Sequence, residues 1–286
     1  MNKKLKLRRH ESFSIRDGWL EKGLRTVKMH GQKTFSKDDG SRLLGLGSNM
    51  VKSLKYWMTA SGLIEGTNPI KITNFAELLY SNDPYLNDMF SWWLIHYMLV
   101  TNKEESPVLY YVFNKYKGKY IDKESLYNEI CKYFDTCNFE YSEKMLNEDC
   151  QMFFRLYYNN DKKTNPEDNF TSPLGKLELL EKTSDDDVYL KKAANIESLN
   201  YLVVYFALEQ LFDKSFDITD AYDAEKSPVS VFNIDRSLFE QYIGIMRNKN
   251  LVTINKTAGL NMVYFEKQLS LEEIIDEYRK EGGYAL

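Results

Sequence analysis

The clearest pattern of apolar and polar positions lies in residues 36–60. A capping-box-like sequence that begins at Ser36 predicts a short helix ending near Leu44. Glycines in Gly45-Leu46-Gly47 predict a sharp turn, because glycine adopts tight backbone conformations at little cost. Ser48 is a suitable N-cap for a second helix over residues 49–60. Two short helices joined by a glycine turn predict a helix-turn-helix.

The second of these helices has two different faces. Its apolar side carries Val51, Leu54 and Met58 at helical spacing, with Trp57 beside them. Polar, partly cationic residues lie away from this stripe: Asn49, Lys52, Lys55 and Tyr56. Strand-like residues around Gly66 follow, over residues 63–72, and predict a small hairpin. Helices followed by such a hairpin, or wing, are typical of DNA-binding winged helices, although this fold also mediates protein contacts.

The remaining pattern predicts further helices with few strands. In the central part we expect helices at 74–80, 84–100, 108–116, 123–134 and 142–158, with surface loops at 159–169 and 184–187. In the last part we expect helices at 197–212, 235–249 and 271–280, a loop at 220–227 and strands at 251–254 and 262–265. The fold class is therefore mainly α with small β-hairpins. We predict a winged helix-turn-helix over 1–72, a central helical domain over 73–195 and a C-terminal winged-helix-like unit over 196–286.

Charge is distributed unevenly along the chain. Residues 1–60 contain 14 Lys/Arg and 5 Asp/Glu, a net of +9, and the rest contain 24 and 37, a net of −13. Such asymmetry indicates a module that binds a polyanion, because basic side chains release condensed counterions from phosphates. The alternative is that the basic and acidic regions pair with each other. A fitting fold within the basic segment favours double-stranded DNA.

Several other classes of protein fit the sequence poorly. The longest apolar stretch, Trp92 to Val100, is interrupted by His96 and is far shorter than the about 20 residues of a membrane span. No apolar core follows the basic N-terminus, so we expect no secretory signal and a cytoplasmic protein. Cys131, Cys137 and Cys150 lack the spacing of a zinc site and are expected to be buried, inert thiols. We find no phosphate-binding loop.

The candidate DNA-binding residues come from two segments. They are Arg9, Arg16, Lys22, Ser48, Asn49, Lys52, Lys55 and Tyr56. Lysine and arginine are expected to contact phosphates, and an asparagine can pair with adenine in the major groove. The alternative for the first segment is a local ion-pair network of Glu11, Arg16 and Asp17 that orients the first helix against Trp19.

Candidate catalytic residues are weaker, because phosphodiester cleavage needs carboxylates with a divalent metal or a nucleophile with a base. Asp88 and His96 are about two helical turns apart and share a face, with Asp83 nearby. Glu148 and Asp149 lie on another helix that could approach them. The alternative is that Asp83, which precedes Pro84, caps a helix and that His96 belongs to the core.

A second candidate lies near the N-terminus. His10 could form a proton-transfer pair with Glu11 or Asp17, two carboxylates close to it in the sequence. No metal ligand can be assigned from either group, and Mg²⁺ or Mn²⁺ is the only cofactor that these residues suggest.

Three motifs resemble one bacterial family along nearly the whole chain. They are Arg9-His10-Glu11-Ser12-Phe13 with Arg16-Asp17-Gly18-Trp19-Leu20-Glu21-Lys22-Gly23; Leu44-Gly45-Leu46-Gly47-Ser48-Asn49-Met50-Val51 with Tyr56-Trp57; and Asp83-Pro84-Tyr85-Leu86 with Trp93-Leu94-Ile95-His96-Tyr97. The family, long described only as of unknown function, includes the SspB-like proteins of DNA phosphorothioation systems, in which sulfur replaces a non-bridging phosphate oxygen.

This resemblance implies a DNA-recognising component of a modification or defence system. The SspB-like branch is associated with DNA nicking, and its members occur beside sulfur-transfer proteins that resemble phosphoadenosine-phosphosulfate reductases. We therefore expect sulfur-transfer and ATPase proteins as partners, with nicking that allows sulfur insertion. The resemblance places no nicking motif on this chain. The alternative is a non-catalytic DNA-reading adaptor or transcriptional regulator.

Overall fold

The computed structural model describes residues 3–159, 171–185, 187–257 and 260–282. Most of the predicted loop at 159–169 lies outside these ranges. The molecule is mainly helical with small sheets, as the sequence predicts. No helix in the described ranges has the length and apolarity needed to cross a membrane.

The N-terminal elements follow the predicted order closely. They are β1 (Lys3–Lys4), α1 (Trp19–His30), a 3₁₀ helix (Gly31–Phe35), α2 (Gly40–Leu44), α3 (Ser48–Ala60), β2 (Ile64–Glu65) and β3 (Lys71–Ile72). Gly45 ends α2 in the left-handed region, at φ 61°, which a glycine adopts without strain. Ser48 is the first residue of α3 instead of its cap, because Gly47 occupies that position. Strands β2 and β3 pair antiparallel and form the predicted hairpin.

The apolar side of α3 packs into the core. Val51, Leu54, Trp57 and Met58 are all buried, which confirms the predicted stripe. A Cβ atom at Gly23 of α1 would collide with the Met58 side chain, so this glycine permits the close approach of α1 and α3.

The central elements surround one helix that is buried on every side. They are α4 (Asn74–Asn82), α5 (Met89–Thr101), α6 (Pro107–Asn114), β4 (Tyr120–Ile121), α7 (Lys123–Thr136), β5 (Phe139–Glu140), α8 (Glu143–Tyr157), a 3₁₀ helix (Pro173–Leu177), β6 (Leu180–Lys182) and β7 (Tyr189–Lys191). The buried helix is α5. The predicted start of this helix at Pro84 is wrong, because the Asp83 carboxylate accepts hydrogen bonds from the backbone of Asn87 and Asp88 and holds a turn there.

The C-terminal elements form a helical unit with a three-stranded sheet. They are α9 (Tyr201–Glu209), β8 (Ser215–Asp217), α10 (Ile218–Asp223), α11 (Pro228–Val231), α12 (Arg236–Asn248), β9 (Val252–Thr257), β10 (Leu260–Phe265) and α13 (Leu271–Lys280). The antiparallel strands are ordered β8-β10-β9. The loop prediction at 220–227 is wrong over its first part, because the Asp217 side chain caps a short helix there.

The buried apolar side chains form one core that includes residues on both sides of positions 72 and 195. β1 also pairs in parallel with β5, so the N-terminal segment contacts the central part directly.

Candidate nucleic-acid interface

The outer face of α3 presents polar and cationic side chains to solvent. Ser48, Asn49 and Lys52 are exposed, and Lys55 is half-buried. The Lys52 Nζ atom donates a hydrogen bond to the Asn49 Oδ1 atom at 3.2 Å. Neither lysine forms an ion pair with a carboxylate in the part of the chain that the structure describes. Because α3 contains no acidic residue, this face is positively charged.

Tyr56 stands at the edge of this face and has a partner within the fold. Its hydroxyl donates to the Glu105 carbonyl oxygen at 2.9 Å, and its ring centroid lies 4.7 Å from that of Trp57. Burial raises the pKa of the Tyr56 hydroxyl well above its usual value. Tyr56 therefore holds the loop before α6 against α3. Because the Tyr56 hydroxyl already has this partner, it is less available for the DNA contact that the sequence predicts.

The segment before α1 is held on the same side of the molecule. The indole nitrogen of Trp57 donates to the Phe13 carbonyl oxygen at 2.9 Å. The Arg16 guanidinium carbon lies 5.6 Å from the ring centroid of Phe13 and 5.2 Å from that of Trp19. Such stacking orients a guanidinium while part of it stays in solvent. The structure thus brings the loop that carries Arg16 against the buried side of α3.

The other basic candidates and Asp17 are more dispersed. Arg9 is exposed, and Lys22 is half-buried on α1. Asp17 forms an ion pair with Lys176, at 3.0 Å, and accepts a hydrogen bond from the Thr171 hydroxyl. The Asp17 carboxylate thus contacts residues far along the chain, in place of the expected local network with Glu11 and Arg16.

Part of the basic charge of residues 1–60 is neutralised within the fold. Lys6 pairs with Glu105, Arg8 pairs with Glu148, and Lys28 pairs with Glu77 at 2.6 Å. These pairs are what the alternative interpretation of the charge asymmetry predicts. They do not involve Lys52 or Lys55. The cationic face of α3 therefore remains after internal pairing has been taken into account.

Two exposed lysines next to α2 were missed by the sequence interpretation. Lys33 and Lys37 lie before α2 and form no ion pair within the described ranges. The positive charge of the segment could have indicated these two lysines. The helix and turn patterns, from which the other candidates were chosen, do not include them.

His10 has a partner that sequence spacing did not suggest. Its Nε2 atom lies 2.7 Å from Asp149 Oδ1, and the backbone N–H of Ser12 donates to its Nδ1 atom at 3.0 Å. Since Nδ1 accepts a hydrogen bond, Nε2 carries the hydrogen and donates it to the carboxylate. Glu11 and Asp17, the expected partners, are not in this pair. Asp149 is 139 residues away in the sequence, so no local pattern could reveal the contact.

The His10–Asp149 pair is buried and fully bonded. Only 2% of His10 is exposed, and its ring stacks on Trp57 at 6.0 Å between centroids. Asp149 also accepts a hydrogen bond from the backbone of Arg8 at 2.9 Å. Burial is the main cause that raises the pKa of Asp149. These contacts connect the N-terminal segment to α8 and leave neither ring nitrogen free for a substrate.

The structure does not bring Asp83, Asp88 and His96 into one group. Asp83 holds the turn before α5, and Asp88 caps α5 and accepts hydrogen bonds from the Tyr278 hydroxyl. His96 is fully buried, 2.8 Å from both the Tyr157 hydroxyl and the Val231 carbonyl oxygen. Burial lowers the pKa of His96 to about 4, so its neutral ring belongs to the core. His96 thus has the core role that stood as the alternative, whereas Asp83 holds a turn and does not cap a helix that begins at Pro84.

The donor set for a metal ion is sparse. The described ranges contain no group of three or more His, Cys, Asp or Glu side chains that could hold one. The residues therefore do not fit a metal site built from protein ligands alone. Mg²⁺ usually keeps several waters and needs only one or two carboxylates together with phosphate oxygens.

The geometry defines a mainly helical protein that exposes a cationic helix followed by a hairpin. The chain belongs to the family described as "Protein of unknown function (DUF4007)", whose model matches residues 7–279. This confirms the resemblance seen in the sequence. No curated protein matches the chain.

The fold is similar to two solved structures. One is a crystal structure of SspB with a magnesium ion bound, with 20% identity and a TM-score of 0.84. The other is a crystal structure of SspB, with 20% identity and a TM-score of 0.83. Each comparison covers 97% of this chain and 88% of the other chain. At this identity the likeness concerns the fold.

Proposed function

We propose that this protein is the DNA-binding component of a bacterial DNA phosphorothioate modification system. In this proposal α1, α2 and α3 with the hairpin β2–β3 act as a winged helix-turn-helix. The observation that carries it is the outer face of α3, where Lys52 and Lys55 have no carboxylate partner among the described residues and the opposite face is buried. A helix of this kind fits the major groove of B-DNA.

Each residue of this face has a chemical task in the proposal. Lys52 and Lys55 contact phosphates, which contributes affinity and salt dependence but no sequence information. Asn49 pairs with an adenine edge, and it exchanges its hydrogen bond from Lys52 for bonds to the base. Arg9, Arg16 and Lys22 add phosphate contacts from the segment before and within α1.

The role in phosphorothioation rests on the family resemblance and on the similarity of the fold to SspB. Sulfur activation and ATP consumption are assigned to partner proteins of the sulfur-transfer and ATPase classes. The present chain then determines where on the duplex those partners act.

The test is the affinity of the purified protein for duplex DNA at a fixed salt concentration. Lys52→Ala combined with Lys55→Ala should weaken binding about tenfold, because two phosphate contacts are lost. Lys132→Ala combined with Lys144→Ala removes the same charge from exposed positions on α7 and α8 and should change affinity little. Equal affinities for wild type and the α3 variant would overturn the assignment of α3.

A second candidate function is DNA nicking, which a magnesium-bound structure of the same fold favours. The measurement is conversion of supercoiled plasmid to the open-circular form, with Mg²⁺, with Mn²⁺ and with EDTA, beside a gel shift on the same plasmid. Metal-dependent nicking would make the protein a nickase. Binding without nicking would support the alternative of a DNA-reading adaptor whose partners perform the chemistry.

A further inference from the structure

A second surface with the chemistry of a nucleic-acid contact lies between α6 and β4. The sequence there is Lys115-Tyr116-Lys117-Gly118-Lys119-Tyr120, in which lysines alternate with other residues. Residues 117–120 are all exposed, and 57% of Tyr120 is accessible to solvent. We call residues 117–120 the lysine–tyrosine loop. The Tyr120 ring therefore places an exposed aromatic surface beside the lysines of the loop.

The backbone of this loop is held in place from both ends. The buried Tyr116 donates from its hydroxyl to the Tyr120 carbonyl oxygen. Tyr120 pairs with Leu190 in the sheet formed by β4 and β7, and the Lys191 backbone donates to the Lys119 carbonyl oxygen at 2.9 Å. The exposed ring is therefore presented by a fixed backbone, which reduces the entropy lost when a ligand binds.

The positive charge of the loop is not cancelled locally. Lys117 and Lys119 have no carboxylate partner in the described ranges. Three nearby carboxylates are already paired with other lysines: Glu225 with Lys115, Glu181 with Lys192 at 2.9 Å, and Asp187 with Lys123 at 3.6 Å. Asp122 and Glu129, which also lie near Tyr116, accept hydrogen bonds from Ser125 and Tyr111.

A buried lysine adds to this positive field from below. The Lys191 ammonium donates to the carbonyl oxygens of Val112 and Tyr116, at 3.0 and 3.4 Å, under the loop. An anionic ligand would therefore meet an excess of positive charge at this surface.

A series of contacts connects the loop to the outer face of α3. Tyr56 of α3 bonds the Glu105 carbonyl, and in the same segment the Lys103 ammonium lies 5.3 Å from the ring centroid of Tyr110. Tyr110 and Lys115 both contact Glu225, and Lys115 leads directly into the loop. Lys103 and the loop are separated by α6, whose eight residues span about 12 Å.

We propose that the lysine–tyrosine loop binds single-stranded DNA, with Tyr120 stacking on a base and Lys117 and Lys119 contacting its phosphates. The exposed ring favours a single strand, because a stacked duplex hides the base faces that an aromatic side chain uses. The exposed ring also favours DNA over an acidic protein as the ligand, because an acidic protein would use only the positive charges of the lysines. The inference rests on the proposed function only in taking DNA as the ligand.

The test is fluorescence anisotropy with a labelled oligothymidylate and, separately, a labelled duplex. Tyr120→Ala should weaken single-strand binding about tenfold, and Tyr120→Phe should retain it because the ring still stacks. Lys117→Ala combined with Lys119→Ala should weaken it by a similar factor. Tyr85→Ala, at a site where 67% of the tyrosine is exposed, and the Lys132→Ala/Lys144→Ala variant are matched controls that should bind like wild type.

The outcomes separate this inference from the proposed function. Three results would overturn the inference. They are the absence of single-strand binding by the wild type, single-strand binding that Tyr120→Ala leaves unchanged, and competition by polyglutamate that is as effective as competition by oligothymidylate. The α3 double variant should lose duplex binding and retain single-strand binding. If it keeps duplex binding while the loop variants lose single-strand binding, α3 is misassigned and the loop proposal stands. Thermal melting of each variant verifies that it is folded.

Discussion

The outer face of α3 and the surroundings of α5 both carry polar residues that suggest function in the sequence, but their environments differ. On α3, the side chains of Asn49 and Lys52 are exposed and, among the residues that the structure describes, bond to each other alone. Around α5, Asp83 and His96 are buried and bonded to groups of the fold. Polar groups that are buried with partners stabilise the fold, whereas exposed cations without carboxylate partners remain available for a ligand.

This comparison predicts opposite effects of mutation in the two regions. Changes around α5 should alter stability and leave the affinity of the folded protein for DNA unchanged. Changes on α3 should alter DNA binding and leave stability nearly unchanged. Three variants or conditions measure the difference and a fourth extends the comparison to α12, in order of decreasing expected effect.

The largest effect is expected from protonation of His96. Burial lowers its pKa to about 4, whereas an unfolded histidine has a pKa of about 6.5. Between these values the unfolded state binds more protons, so stability is present above the unfolded pKa and falls as pH decreases toward the folded one. The loss amounts to about 3 kcal/mol by linkage. Urea unfolding at several pH values should show this loss in wild type and not in His96→Gln. An identical pH dependence in both proteins would contradict the core role of His96.

The next effect concerns Asn49. Asn49→Ala should reduce discrimination between the preferred site and other duplexes by about 2 kcal/mol, because one bidentate contact to a base is lost. Selection of bound sequences from a random oligonucleotide pool measures this preference. Nonspecific affinity and melting temperature should change little. An unaltered site preference in Asn49→Ala would show that Asn49 does not contact a base.

A smaller effect is expected at Asp88. Its carboxylate caps α5 by accepting a hydrogen bond from the Phe90 backbone at 2.8 Å. Asp88→Ala should lower the free energy of unfolding by about 1 kcal/mol, typical of a lost cap. Denaturant titration gives the stability, and a binding isotherm below the melting temperature should match wild type. Lost nicking or binding in a fully folded Asp88→Ala protein would instead return Asp88 to the candidate catalytic residues.

The smallest effect is expected at α12, which precedes the C-terminal hairpin as α3 precedes the first. Residues 196–286 contain 9 Lys/Arg and 15 Asp/Glu, a net of −6, and the guanidinium carbon of Arg236 lies 4.6 Å from the ring centroid of Tyr222. Arg236→Ala combined with Arg247→Ala should change duplex affinity less than about twofold, because an acidic surface repels phosphates. A tenfold loss in a gel shift would show that the two units share DNA binding.

Sequence periodicity was sufficient for most of the helices. The stripe of Val51, Leu54 and Met58 predicts the buried face of α3, because local spacing alone determines which residues share a side. The cap of α4 is equally local, since the Thr73 hydroxyl accepts a hydrogen bond from the Ala76 backbone only three residues on. Helix α13 was predicted with its observed bounds, Leu271–Lys280.

Long-range contacts could not be predicted from spacing. The His10–Asp149 pair and the β8–β10 pairing join residues that only the tertiary fold brings together. The start of α5 was misplaced because the Asp83 turn competes with helix formation, which propensity does not describe. The candidate DNA-binding face was identifiable because it depends on one helix, whereas the core role of His96 depends on burial and on partners far along the chain.

The central claim is tested most directly by the salt dependence of duplex binding. The dissociation constant is measured from about 50 to about 200 mM salt, a range over which phosphate contacts strongly affect affinity, for wild type, the Lys52→Ala/Lys55→Ala variant and the Lys132→Ala/Lys144→Ala control. If α3 contacts the phosphates, the slope of log affinity against log salt for the α3 variant should be shallower by about two. The control should run parallel to wild type. Equal slopes for wild type and the α3 variant would contradict the account.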